Sequence, residues 1–343
     1  MILEVRNTHN LLFTFLLFLI TSCDDVSSDK PTDYLRISGY AQGTTFNIVY
    51  QDSSDYSDSI DAILTSFDKQ LSTYDSLSFV SVVNNGPDSC YQLKNHDWFY
   101  TCFHYAEFFY NETNKSFNPS IYPLVNYWGF YHENEPTVDS SYIRDSLLPL
   151  LKMEDNFSLI DSADQYFMCK HHPNAKLDFN AIAQGYSVDI IAEFLEEQDV
   201  QNYMVEIGGE VRSKGVNHKG EYWKIGIERP VDSSYIGENG FQKIVSLNNQ
   251  ALATSGNYRK FKTYNGRRIS HAINPLTGFP TTNNLLSVSV ITDKAATADA
   301  LATSFLVMGK QNTISYLKEI EKANFKVYMI YDSLGEYEEW SNF

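Results

Sequence analysis

The sequence predicts an α+β fold, with mixed antiparallel sheets flanked by helices and built as one compact body of one lobe or two. Three observations carry that expectation. Short runs of alternating apolar and polar residues recur between residues 34 and 331, separated by Gly, Asn and Pro. Amphipathic stripes at helical spacing fall between those runs. No internal repeat and no long linker follows residue 33, and the 43% hydrophobic content of the 343 residues is enough for a sizeable core.

The first 22 residues read as a leader rather than as structure. Leu11 to Ile20 is an apolar run too short to span a bilayer as a helix, and Ile20-Thr21-Ser22-Cys23 follows at once. That string resembles the lipobox of bacterial lipoproteins, which makes Cys23 the lipidated residue and first residue of the mature chain. A cleaved secretory signal with an incidental cysteine, or a buried apolar helix, is the alternative. Residues 23–33, rich in Asp, Ser and Lys, read as a flexible tether, and 34–343 as the folded body.

Within the body, alternation predicts strands over 34–37 and 45–50, joined by a turn through Gly39 and Gly43. Helices are expected over 60–71, from Ile63, Leu64, Phe67 and Leu71, and over 97–110. Pro119, Pro123 and Gly129 make 117–130 a structured loop or broken helix. Residues 132–162 are polar and read as a surface helix with loops. A strand over 175–179 runs into a helix over 181–198, and further strands are expected over 203–207, 223–228, 243–247, 252–254, 269–273 and 286–291. A helix over 297–308 carries one apolar stripe of Ala298, Leu301, Ala302, Phe305 and Leu306. A helix over 312–323 and a strand over 326–331 close the chain.

Charge and cysteines exclude several classes. Forty-three acidic against 26 basic residues give a net charge of −17, which argues against nucleic acid as a partner and requires a cation or backbone dipoles for any anionic dinucleotide. Beyond Cys23 remain Cys90, Cys102 and Cys169. An odd number without CxxC spacing argues against zinc and against a disulfide scaffold, leaving a Cys90–Cys102 bridge as the one pairing considered. No GxGxxG before a helix, Walker sequence or GxSxG elbow occurs.

Some residues can carry chemistry. Asp299 and Thr303 lie four apart on one helix face and offer two hard oxygens suited to magnesium, although a back-bonded threonine and a solvated aspartate would give the same spacing. Asp178 precedes a helix, where it either caps or reads a ligand. His271, near the turn Asn274-Pro275-Leu276-Thr277-Gly278, can shuttle a proton near neutral pH.

Taken in order, these segments resemble the ApbE family, the FAD:protein FMN transferases. Gln42-Gly43-Thr44-Thr45-Phe46 is similar to the family's MGTTY turn, and Ser72-Thr73-Tyr74 with Ser78 and Asn84 to its STY segment. Phe117-Asn118-Pro119-Ser120 with 123–130, Asp178 to Asp189, Ile207-Gly208-Gly209-Glu210, Ala253-Thr254-Ser255-Gly256, 271–280 and Ala298-Asp299-Ala300-Leu301-Ala302-Thr303 follow in the family's sequence. The resemblance implies an ApbE-like, T-fold-related body. It implies that the Ala181 carbonyl, Asp299 and Thr303 hold Mg2+, and that Gln42, Tyr74, Ser116, Phe117, Asn118, Asp178, Gln184, Ala272 and Ile273 hold FAD as substrate. His271 becomes the candidate catalytic base. The implied reaction cleaves FAD and attaches FMN to a threonine or serine hydroxyl of a target protein, releasing AMP. Implied acceptors are subunits of Rnf-type or sodium-pumping NADH:quinone reductase complexes, reached from a lipid anchor on the periplasmic side of the inner membrane of a Gram-negative bacterium. An FAD pyrophosphatase and a non-catalytic FAD-binding lipoprotein are the rival readings. Asn118, Gln184 and Asn274 depart from the family's charged residues while keeping hydrogen-bonding reach.

Overall fold

Alternating side chains build the main sheet. The computed structural model describes residues 33–131, 138–162, 165–230, 240–257, 261–264, 267–320 and 325–343. Cys23, the leader and the tether up to residue 32 lie outside the described residues. Eight strands lie side by side: β1 (Tyr34–Ala41), β2 (Thr44–Gln51), β6 (Tyr203–Ile207), β7 (Glu210–Lys214), β10 (Ala251–Gly256), β13 (Leu285–Thr292), β14 (Lys326–Ser333) and β15 (Glu336–Ser341). Every neighbouring pair is antiparallel. Both faces are covered in the middle of the sheet. Ala253, Val288, Val290, Val327 and Met329 point to one core cluster, while Leu252, Ile291, Tyr328 and Ile330 point to another. The second cluster is closed by the hairpin of β8 (Trp223–Glu228) and β9 (Phe241–Leu247), through Ile227, Val245 and Leu247.

The first face carries helices α7 (Ala183–Glu197) and α8 (Ala295–Met308), which pack on the sheet and on each other. The single apolar stripe expected for α8 is too narrow a description. Ala295, Ala296, Ala300 and Ser304 are buried along with the stripe, because α7, α3 (Asp97–Glu112), α9 (Lys310–Glu319) and the sheet surround it. Helices α1 (Ser57–Leu71) and α2 (Phe79–Asn85) complete that layer, and α4 (Tyr122–Tyr127) sits in the proline-punctuated stretch read as a broken helix.

Other expectations about single elements are corrected too. Residues 175–179 pair with no strand; they run extended and are held from outside, with Leu177 N–H donating to Asn84 Oδ1 (2.6 Å), Asn84 Nδ2 donating to Leu177 O (2.8 Å) and Asp178 N–H donating to Pro119 O (2.7 Å). The polar stretch 132–162, of which 132–137 lie outside the described residues, is not merely a surface helix. It runs through α5 (Ser140–Tyr142), a π-type turn (Ile143–Leu147), a 3-10 turn (Leu148–Leu151) and α6 (Met153–Asn156) into β4 (Phe157–Ser162), burying Ile143, Leu147, Leu151, Met153 and Phe157. The strand expected over 269–273 is β12 (Arg267–Ser270), paired with β11 (Phe261–Tyr264), so His271 follows the strand rather than lying in it.

The cysteines pair differently from the one bridge considered. A small sheet of β3 (Cys90–Gln92), β5 (Gln165–Lys170) and β4 sets Cys90 opposite Cys169, and the two form a disulfide; Cys102 is free and buried in α3. β3 has three residues, too few to show alternation in sequence. Beside the bridge the buried Lys170 donates to the carbonyls of Val83 (3.1 Å), Asn84 (3.0 Å) and Gly86 (2.9 Å), capping α2 with a positive charge. Closing a span of 79 residues in the unfolded chain, the bridge should add about 2–4 kcal/mol. Denaturant titrations with and without reductant, repeated on Cys90→Ser, are expected to show that loss; superimposable curves would contradict it.

Candidate active site

The site lies where the turns at one end of the sheet meet the start of α7 and the side of α8. A cavity of about 1040 Å³ opens there, at the upper end of small-molecule sites and roomy enough for a dinucleotide. Its described lining carries six carboxylates, Asp68, Asp178, Glu206, Glu210, Glu228 and Asp299, and neither Lys nor Arg. Burial raises the pKa of Asp178, Glu206 and Asp68, and hydrogen bonds from Tyr131 and Asn180, from Gly209 and from Gln42 respectively pull them part of the way back. Burial likewise pushes Asp299 up to about 7, against one backbone N–H. The amino end of α7 supplies a partial positive charge to this acidic space.

One glycine sets the geometry where α7 meets α8. At Gly185 the helices α7 and α8 cross so closely that a Cβ would overlap the Ala295 carbonyl and crowd Asp299 Cβ. The approach lets Gly185 N–H donate to Asp299 Oδ2 at 3.1 Å. In a regular ladder that N–H would go to the carbonyl four residues back, which is Ala181. Around that point Ala183 N–H bonds to Phe179 O (2.7 Å) and Tyr186 N–H to Ile182 O (2.9 Å), and Ala181, Asp299 and Thr303 all line the cavity. One turn further along α7, buried Asp189 accepts from Ala295 N–H (3.0 Å) and Ala296 N–H (2.9 Å) and pairs with Arg212 (3.0 Å), fixing the start of α8. Thr303 Oγ1 shares a 2.8 Å hydrogen bond with Ser255 Oγ of β10 rather than being spent along its own helix.

These donors suit magnesium. One carboxylate, one hydroxyl and one carbonyl are hard oxygens, and the carboxylate is buried without a cationic partner. Among the described residues no three His, Cys, Asp or Glu side chains converge to hold a metal, so this set leaves coordination positions for phosphate and water.

The remaining expected residues are mostly gathered in the same cavity, though not all with free polar groups. Gln42, at the β1–β2 turn with φ 54°, accepts from Ser187 Oγ (3.2 Å) and has its buried Nε2 without a partner, a donor for a ligand oxygen. Gln184 lies on Gly208, where a Cβ would overlap its amide. Asn118 spends its side chain on the fold: Nδ2 donates to Leu151 O at 3.0 Å and Oδ1 accepts from Ser120 N–H at 2.8 Å. An aspartate there would face the Leu151 carbonyl with no donor, which accounts for the asparagine. Phe117 lines the cavity but is buried in the main core, and Ser116 N–H is bonded to Thr113 O (3.1 Å). Ala272 donates its N–H to Ser270 Oγ (3.1 Å) and accepts from Thr281 N–H (2.9 Å), and Ile273 bridges to Pro280, so both offer a ligand mainly their apolar surface. His271 lines the cavity edge-on to the Phe130 ring, 6.5 Å between centroids.

In the same lining Asp178 accepts from Asn180 N–H (2.8 Å) through Oδ1 and from the Tyr131 hydroxyl through Oδ2, and Tyr74 is 75% exposed. Sequence reasoning missed Tyr131, Asp68, Glu206, Glu228 and Asn180. An acid inside an amphipathic helix, as Asp68 is beside Phe67, was the one local signal available.

An acidic cavity of this size, lined by hard oxygens and by tyrosines, suits a nucleotide-handling enzyme. Residues 42–329 match the ApbE family. The FAD:protein FMN transferase of Haemophilus influenzae is 33% identical over 312 residues, covering 88% of this chain and 87% of the relative. That of Vibrio cholerae is 33% identical over 302 residues, 86% of each chain. Among solved structures, flavin transferase ApbE from Vibrio cholerae aligns with a TM-score of 0.76 at 31% identity, covering 90% of this chain and 97% of that one. Pseudomonas stutzeri flavinyl transferase ApbE, apo form, aligns with a TM-score of 0.77 at 29% identity, covering 90% and 94%. The chain belongs to the ApbE family.

Proposed function

We propose that this chain is a magnesium-dependent FAD:protein FMN transferase. One observation carries the reading: a dinucleotide-sized cavity has six carboxylates and no Lys or Arg in its described lining, and Ala181, Asp299 and Thr303 line it as well. A cation would offset the repulsion between these carboxylates and a diphosphate. The activity named for the Haemophilus influenzae and Vibrio cholerae relatives supports the same reading.

In the reaction a threonine or serine hydroxyl of the acceptor attacks the FMN-side phosphorus. The new bond joins acceptor oxygen to that phosphorus, the bond to the bridging oxygen breaks, and AMP leaves with that oxygen. Magnesium, when bound, neutralises the diphosphate and withdraws charge from the breaking bond. Asp299 and Thr303 would hold it from α8, and Ala181 from the turn that precedes α7. Gln42 Nε2 donates to a substrate oxygen, and His271 takes the acceptor proton. Phe130, Ile225, Ile227 and Ile273 supply apolar walls that keep water from competing with the acceptor hydroxyl.

Lipid attachment through Cys23 would set the enzyme at the periplasmic face of the inner membrane, near acceptors such as Rnf-type or sodium-pumping NADH:quinone reductase subunits. The Cys90–Cys169 disulfide supports an oxidising compartment.

Incubation of the protein with FAD, magnesium and a threonine-bearing acceptor should leave covalent flavin fluorescence on the acceptor. FMN and AMP without it would make the protein a hydrolase, and intact FAD would contradict catalysis. Asp299→Ala is expected to lower kcat/KM by at least about 10²-fold, or ~2.7 kcal/mol; unchanged turnover would remove the metal assignment. Cys23→Ala should move the protein from the membrane to the soluble fraction, whereas retention on membranes would rule out the lipid anchor.

A further inference from the structure

We infer that Tyr131 is a substrate-contacting residue that sets ring recognition: with Tyr74 it forms a corner receiving a flat heteroaromatic ring, and its hydroxyl holds Asp178 turned toward an N–H at that ring's edge. The inference rests on the transferase reading, because it assigns one end of FAD to this corner.

Tyr131 is built into a stack. Its ring lies on Tyr122, with centroids 4.7 Å apart and planes at 22°, and Lys176 Nζ covers Tyr122 at 5.2 Å from the ring centre. Asn180 Nδ2 donates to the Tyr131 hydroxyl at 3.2 Å, and that hydroxyl donates to Asp178 Oδ2. The Tyr74 ring stands at 67° to Tyr131 with centroids 6.1 Å apart. Tyr131 is thus an anchored wall and Tyr74 an exposed one, meeting near a right angle. Tyr74, Tyr131, Asp178 and Asn180 all line the cavity, while Tyr122 backs it.

The chemistry of Asp178 decides what the corner reads. Each carboxylate oxygen can accept about two hydrogen bonds. Asn180 N–H and the Tyr131 hydroxyl use one on each, which fixes the rotamer and leaves acceptor capacity for a ligand. A ring stacked on one tyrosine presents its edge to the other wall and to this acceptor. The required partner is a heteroaromatic ring with an edge N–H donor, a description that fits both the flavin imide and the adenine amine of FAD. Tyr131 therefore acts on ring binding rather than on the bond that breaks, and should move KM rather than kcat.

Binding of FAD, FMN and AMP, each with magnesium, is measured by calorimetry on the wild-type protein and on Tyr131→Phe, with kcat, KM and melting temperature alongside. Tyr131→Phe keeps the stack on Tyr122 and removes only the hydroxyl. The expected result is FAD binding and KM weakened about 5- to 20-fold, one mononucleotide weakened by the same factor and the other unchanged, and kcat within about twofold. The weakened mononucleotide identifies the ring in the corner. Tyr131→Ala should weaken that same ligand further. Unchanged FAD affinity, or equal weakening of FMN and AMP, overturns the inference while leaving the transferase reading intact. Failure of the wild-type protein to bind FAD overturns both.

Discussion

The close crossing of α7 and α8 at Gly185 is the constraint on which the site depends. Because no side chain intervenes, the Gly185 N–H reaches Asp299 instead of Ala181. A buried carboxylate thereby acquires a fixed orientation beside Ala181, which lines the same cavity. The Asp189 cap, braced by Arg212, holds α8 at the depth this geometry needs. Sheet, helices and cavity are then one construction: the sheet presents Ser255 to Thr303, and the helices present their oxygens to each other's neighbourhood.

Charge explains why such a construction is useful. On the proposed reading the acidic cavity would repel a diphosphate by itself, so substrate and cation would bind as partners. A lysine-lined site would hold a diphosphate by itself and would gain less from a metal. The acidic lining would thereby couple nucleotide binding to the proposed ion, while the inferred tyrosine corner would receive a ring without using charge.

Sequence made the local parts legible and left the convergent ones hidden. β2, α1, α3 and β13 were readable because each carries its own periodicity over six or more residues, and the Asp299–Thr303 pair because four residues return to one face of a helix. β15 was missed since its exposed acidic residues at the sheet border hide the alternation, and β3 because it is too short. The stretch 175–179 looked like a strand because its apolar residues are buried, yet Asn84 and Pro119 supply its hydrogen bonds rather than a neighbouring strand. The disulfide, Tyr131 against Asp178 and the acid lining each join segments remote in the chain, so no window of residues contains them. Resemblance to the ApbE family named most of the cavity residues, but not which of them, like Asn118 and Ala272, already spend their polar groups on the fold.

The central claim is a cation seated between the start of one helix and the flank of another, touching the substrate's diphosphate. Crystals grown with FAD and manganese in place of magnesium, measured at an anomalous wavelength, test it directly. The account predicts a peak about 2 Å from an Asp299 carboxylate oxygen, the Thr303 hydroxyl and the Ala181 carbonyl, with phosphate oxygens completing the shell. Ordered FAD whose phosphates lie away from these three groups, with the ion bound elsewhere, would contradict it.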